Sequence, residues 1–181
     1  SWYPPEIFDL KRPQTYLHCV SAAQHRACPA HASLRPVIEN GVPLETFATR
    51  HGKRRFVMAL GRICREKGFH LALDAARAAD WPLLLAGQVF PYAAHQDYFD
   101  RWIVPRLDAQ RRFLGPVGRV RKRRLLSAAR ALLIPSLAPE TSSLVAMEAL
   151  ACGTPVIGFR TGALPDLIEP GVTGFIVDNE R

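Results

Sequence analysis

From residue 56 onward the chain alternates short apolar runs with helical patterns, and this alternation restricts the fold more than any other feature. Residues 56–60, 82–86, 112–114, 131–134, 155–159 and 174–177 read as strands: each is short and largely apolar, and several end at Gly or Pro. Between them, residues 70–79, 94–107, 120–130 and 144–151 read as helices, with a shorter one over 164–168. Strand and helix in strict succession imply βαβ units. The expected class is therefore α/β, a Rossmann-like parallel sheet with helices on both faces. Ligands of such sheets bind beyond the carboxyl ends of the strands, which makes the strand-to-helix loops the place to look for chemistry.

The first 50 residues follow a different pattern. Residues 15–21 and 35–38 could each be a strand, but Pro4, Pro5, Pro13, Pro29, Pro36 and Pro43 suit surface loops better than a complete domain. The charged run from Arg50 to Arg55 reads as a linker or domain edge. The expectation is a fragment truncated at both ends, with residues 1–49 the tail of one domain plus linker and 50–181 a second, incomplete domain. At 48% hydrophobic and 22% charged residues the composition excludes intrinsic disorder. No apolar run approaches the roughly 20 residues that cross a bilayer. The four cysteines lack the density of a disulfide framework and suit a reducing cytosol. His18, Cys19, His25, Cys28 and His31 match no common zinc spacing and read as incidental.

The formal charge of +8 is concentrated in one place. Residues 106–130 carry nine basic side chains against one acid, Asp108, so this block accounts for the whole excess. Clustered arginines are the footprint of polyanion binding. Here they lack interleaved aromatics or a recognition motif, and nucleic acid is not expected. Attraction to an anionic lipid surface is one reading. The solvated face of a helix that packs through Leu125, Leu126 and Ala129 is the other.

Two loops hold candidate chemistry. The helix over 144–151 is apolar almost all round, with one charge inside it, Glu148. An unpaired buried carboxylate costs several kcal/mol in order of magnitude, so Glu148 must face a ligand or a salt-bridge partner among the arginines. The residues leave both open. Upstream stands Glu140, followed by Thr141, Ser142 and Ser143, good capping residues for a helix beginning at Leu144. The free amides of such a helix start form an anion site. Carboxylates are apt acceptors for sugar hydroxyls, whereas phosphate needs cations. Arg62 and Lys67, in the segment after the first strand, are candidates, although alone that segment reads as a solvated loop.

Taken together these residues form a pattern: Gly61-Arg62 with Lys67-Gly68, Gly87, Phe113-Leu114-Gly115, Pro135-Ser136, and the run from Pro139-Glu140 through Glu148 to Cys152-Gly-Thr-Pro155-Val. Gly162-Ala-Leu-Pro-Asp166 and Gly171-Val-Thr-Gly174-Phe complete it. Residues 56–178 closely resemble the donor-binding C-terminal domain of family-4 retaining glycosyltransferases, which have the two-domain GT-B fold. The spacing of Glu140 and Glu148, with the Ala-Cys-Gly-Thr-Pro run, is its most specific part. Residues 15–47 resemble the last strands of that fold's N-terminal domain.

The resemblance implies transfer of a sugar from a nucleotide-diphosphate sugar to a glycan or lipid-linked acceptor, without metal or further cofactor. Arg62 and Lys67 would neutralise the pyrophosphate. Glu140, as the catalytic-site carboxylate, would hold donor-sugar hydroxyls, and Glu148 the ribose. Amides around Ser142, Ser143 and Leu144 would add phosphate contacts, and the backbone from Gly115 to Val117 would meet the base. The family's Gly-Phe-Gly after the first Glu is Thr141-Ser142-Ser143 here, which narrows the loop. The acceptor site would lie in the missing N-terminal domain, so the fragment is expected to be inactive alone. A cytoplasmic enzyme, peripheral at the inner membrane face, fits the composition and the basic block. Rival readings are a nucleotide-sugar 2-epimerase of the same fold and a non-catalytic donor-binding or polyanion-binding module.

Overall fold

The computed structural model of the chain describes residues 4–48 and 51–178. The expected boundary between 49 and 50, and Arg50 of the expected linker, lie outside them. In chain order the regular elements are α1 (Ala22–Arg26), α2 (Leu44–Phe47), β1 (Val57–Leu60), α3 (Phe69–Ala78), β2 (Leu83–Ala86), α4 (Ala93–Tyr98), β3 (Arg111–Phe113), α5 (Arg119–Ala128), β4 (Leu132–Ile134), α6 (Leu144–Ala151), β5 (Val156–Phe159), α7 (Leu164–Leu167) and β6 (Gly174–Val177). Each of the six expected strands is present. They form one sheet in the order β3-β2-β1-β4-β5-β6, and every pairing is parallel. The order reverses between β1 and β4. In a doubly wound sheet that switch point is where a crevice opens beyond the carboxyl ends of the strands.

Alternation along the strands divides the core. Met58, Leu132 and Ile134 face one cluster, which includes Leu126 of α5, Ala146 and Ala149 of α6, and Phe47 of α2. Ala59 and Leu133 face the other, against Phe69, Ala72, Leu73 and Ala76 of α3, with Tyr98 and Ile103. The α3 contributors recur at helical spacing, which explains why this segment folds as an amphipathic helix on one face.

Two expectations are met only in part. The helix expected over 94–107 is three pieces: α4, a π-helical turn Phe99–Ile103 and a 3-10 turn Val104–Arg106. Pro105 lacks an N–H and its ring crowds the carbonyl four residues back, so the regular helix cannot run through it. The strands considered at 15–21 and 35–38 reduce to a single parallel bridge, Leu17 with Leu34. The amides of Arg35, Ile38 and Asn40 donate to the carbonyls of Leu17, Cys19 and Val20. The segment is extended and paired, but it has no sheet to join among the described residues.

Leu132 is fully buried at the centre of the sheet, in register with Met58 and Val156. Leu132→Ala is expected to cost ~2–5 kcal/mol and to lower the melting temperature by roughly 5–15 °C. A negligible shift would place β4 outside the cooperative core. His70 Nδ1 lies 2.9 Å from the Tyr98 hydroxyl, and its ring meets Trp102 edge-on. Burial, then the Arg106 charge, hold its pKa below the ordinary 6.5, against the opposing pull of Asp74. The unfolded chain therefore takes up the proton first as pH falls. Stability contributed by neutral His70 is present above 6.5 and is lost as pH falls through the folded value. Melting curves across that window should decline on acidification, and less steeply for His70→Gln.

Candidate active site

The loops leaving β1 and β4 flank the switch point, and the backbone ties them together first. Glu66 O accepts from the amides of Leu137 and Ala138. Gly68, at φ +62°, sits so close to Pro135 that an added Cβ would lie 2.1 Å from its carbonyl oxygen. Only glycine satisfies both conditions. This seam aims Lys67, at the end of the 3-10 turn Arg65–Lys67, across the crevice at Glu140.

Lys67 Nζ meets Glu140 Oε1 at 2.6 Å, and the Ser136 hydroxyl donates to the same oxygen. The carboxylate is only 10% exposed, and Lys67 is 29% exposed. From the far side Gly162, at φ +56°, packs on the Glu140 backbone, 2.1 Å from its carbonyl oxygen for an added Cβ. The Ala163 amide donates to that carbonyl at 2.8 Å. Glu140 is thus held through side chain and backbone from three loops.

The cleft around this pair has a volume of about 510 Å³ and is lined by Arg62, Lys67, Glu140, Ser142, Ser143 and Leu144, among others. Arg62 is exposed, and its guanidinium pairs with no carboxylate among the described residues. The first-turn amides of α6 have no intrahelical acceptors and add positive potential. Ser143, just before α6, has φ +46° and ψ +67°, a left-handed conformation that costs a non-glycine residue ~1–2 kcal/mol. This is the third position of the expected Gly-Phe-Gly, so serine bears strain where glycine would not. Ser142 is held by the Asn40 amide at 2.7 Å, and the Thr141 carbonyl accepts from the Ser21 hydroxyl.

The cleft gathers six of the nine candidate residues. Gly115, Val117 and Glu148 are outside its lining. Glu148, 13% exposed, pairs with Lys122 at 2.5 Å. Its partner is a lysine from α5, not one of the arginines considered. That lysine also rests over the Phe47 ring, 5.6 Å from its centroid. Arg123 donates to Thr46 O at 2.7 Å. The basic block is therefore only partly a solvated face: Lys122 and Arg123 point inward, whereas Arg119, Arg121 and Arg124 are exposed. Residues without an assigned role in the sequence reading, Ser136, Asn40, Ser21 and Lys122, complete the geometry. Pro135-Ser136 stood in the recognisable pattern, and Ser21 and Asn40 lie in the 15–47 stretch that resembles the other domain, but no spacing signalled Lys122. Burial pushes the Cys64 and Cys152 thiols above their usual range, which disfavours the thiolate form. A hollow of about 1110 Å³ between residues 8 and 35 has no strand-end residue in its lining, and the pair it contains, His31 with Asp9 at 3.6 Å, is exposed to solvent.

A sheet of this strand order, with a cation–carboxylate pair across its switch point beside a helix N-terminus, defines a doubly wound α/β domain whose crevice suits an anionic, hydroxyl-bearing ligand. Comparison with known proteins makes that class specific. The family described as glycosyl transferases group 1 matches residues 44–181, and the chain belongs to it. A D-inositol 3-phosphate glycosyltransferase of Actinosynnema mirum is 44% identical over 70 residues, 39% of this chain and 16% of that protein. The enzyme of the same name from Corynebacterium efficiens is 36% identical over 96 residues, 53% of this chain and 22% of that one. Among solved structures, Anabaena HepE in complex with UDP and glucose superposes with a TM-score of 0.77 at 25% identity, over 90% of this chain and 49% of that one. AviGT4, a glycosyltransferase involved in avilamycin A biosynthesis, gives 0.73 at 26% identity, over 90% and 49%. The architecture is that of GT-B glycosyltransferases, and the chain spans about half the length of these structures.

Gly162→Ala tests the geometry directly. It forces a Cβ into the Glu140 backbone at a positive φ, so the expected loss of stability exceeds ~1 kcal/mol. A variant as stable as the parent would mean that Gly162 does not set the position of Glu140.

Proposed function

We propose that this chain is the donor-binding part of a retaining, metal-independent, family-4 glycosyltransferase, which moves a sugar from a nucleotide-diphosphate sugar to a glycan or lipid-linked acceptor. The observation that carries the reading is the Lys67–Glu140 pair across the switch point, with Ser136 on the same carboxylate oxygen. A pyrophosphate competes with a carboxylate for Lys67 and also finds Arg62 and the α6 amides. Glu140 keeps the Ser136 hydroxyl and turns its carboxylate to the donor-sugar hydroxyls. Ribose hydroxyls reach Glu148, and the base meets the backbone of Gly115 and Val117, on the α5–α6 side.

In the transfer, the bond from the anomeric carbon to the phosphate oxygen breaks as the acceptor oxygen bonds to that carbon. The acceptor proton passes to the leaving phosphate. Arg62 and Lys67 act where negative charge grows on the leaving group, which replaces the work of a metal. Retention follows if acceptor and leaving group share one face of the sugar. The acceptor side is supplied by the N-terminal domain of the fold, to whose end the residues before 50 belong. The solved relative crystallised with UDP and glucose supports a uridine donor as the first to test. Exposed Arg119, Arg121 and Arg124 on α5, beside Val120 at 57% exposure, support a peripheral, cytoplasmic-face position on anionic membrane.

Calorimetry with UDP, GDP and ADP tests the assignment. One nucleotide should bind, and Arg62→Ala or Glu148→Ala should weaken it ~10-fold or more, since a charge-assisted hydrogen bond contributes ~1.5–3 kcal/mol. Absence of binding at millimolar concentration, or unchanged affinity in both variants, contradicts it.

A further inference from the structure

Cys19 and Cys28, incidental in the sequence, come together in the structure. Their sulfur atoms lie 3.6 Å apart, at the two ends of α1. Cys19 is buried and Cys28 half-buried. A disulfide needs S–S of roughly 2.05 Å, so the sulfurs must approach by only about 1.5 Å, within reach of side-chain rotation. The surroundings favour retention of this geometry. Ser21 caps α1 by accepting from the Gln24 amide, the Gln24 side chain accepts from the Val20 amide, and Cys28 donates to Gln24 O. The Cys19 carbonyl is paired with the Ile38 amide.

This site touches the cleft. The Ser21 hydroxyl that caps α1 also donates to Thr141 O, and Arg26 at the end of α1 forms a forked pair with Asp166 at 2.8 and 2.9 Å. A five-residue helix has little stability of its own, so a covalent tie across it fixes what would otherwise fray.

We propose that Cys19 and Cys28 are a redox-modifiable dithiol that closes to a disulfide with a small-molecule disulfide as oxidant, tying together the two ends of α1, the helix whose cap Ser21 holds Thr141. Cys28, the accessible sulfur, attacks first as thiolate: a Cys28–oxidant mixed disulfide forms and one oxidant thiolate leaves. Cys19 then loses its proton and attacks Cys28 Sγ, forming the Cys19–Cys28 bond and expelling the second thiolate. Two protein thiols are oxidised, one oxidant disulfide is reduced to two thiols, and the two protons end on those thiols. The order agrees with burial, which pushes the Cys19 thiol up to about 11 and makes it the poorer first nucleophile.

The test uses the 181-residue chain with oxidised glutathione, followed by peptide mapping under non-reducing conditions. The expected product has lost two hydrogens, carries a Cys19–Cys28 bond and leaves Cys64 and Cys152 free. Cys19→Ala should stop at a stable glutathione adduct on Cys28, and Cys28→Ser should yield no intramolecular bond. Amide exchange over residues 20–28 should slow in the oxidised parent and recover on reduction. A bond to Cys64 or Cys152, a persistent adduct in the parent chain, or no reaction at all would overturn the proposal. The mapping and exchange readouts do not depend on nucleotide binding, so they stand apart from the glycosyltransferase reading.

Discussion

The ion pair between Lys67 and Glu140 joins the two loops on which the site depends. These loops leave adjacent strands at the point where the sheet's winding reverses, and helices on opposite faces would otherwise draw them apart. Glycine permits the close approach: Gly68 against Pro135 on one side, Gly162 against Glu140 on the other. Within that frame a carboxylate only 10% exposed is tolerable because a lysine and a buried serine hydroxyl both satisfy it. Removal of the lysine alone would strand the charge, which typically costs ~3–5 kcal/mol in a buried pair. The interaction that holds the crevice together is also the one whose two ends suit a pyrophosphate and a sugar.

The N-terminal segment is part of this arrangement, although it contributes no strand to the sheet. Ser21 and Asn40 hold Thr141 and Ser142, and Arg26 pairs with Asp166 near α7. These contacts restrain the loop in which Ser143 is left-handed. A helix start with its amides open to the cleft is thereby maintained at the cost of local backbone strain, a common feature of sites built to hold a ligand. The same contacts connect the fold of residues before 50 to the shape of the cleft.

The sheet was legible because its physical signal is local. Apolar runs such as 83–86, bounded by Pro82 and Gly87, have few alternatives to a buried parallel strand. The change of helix type ahead of Pro105 is not legible in the sequence, because apolar spacing persists on both sides of a residue that cannot donate. Glu140, Arg62 and Lys67 were legible as loop residues at strand ends, but their mutual pairing was not, since it depends on which strands are neighbours. Glu148 shows the limit most plainly. Its sequence context demanded a partner and could not say that Lys122, half-buried within an apparent surface block, would supply it. Cys19 and Cys28 likewise met through a turn of chain that spacing alone does not describe.

In the proposed function one ion pair divides its labour, phosphate to Lys67 and sugar to Glu140. The direct test compares the affinities of UDP and UDP-glucose for the parent chain, Lys67→Ala and Glu140→Gln. Lys67→Ala should weaken both ligands, while Glu140→Gln should spare UDP and abolish whatever advantage UDP-glucose holds over it. Equal losses for both ligands in Glu140→Gln, or an unchanged UDP affinity in Lys67→Ala, would contradict this division.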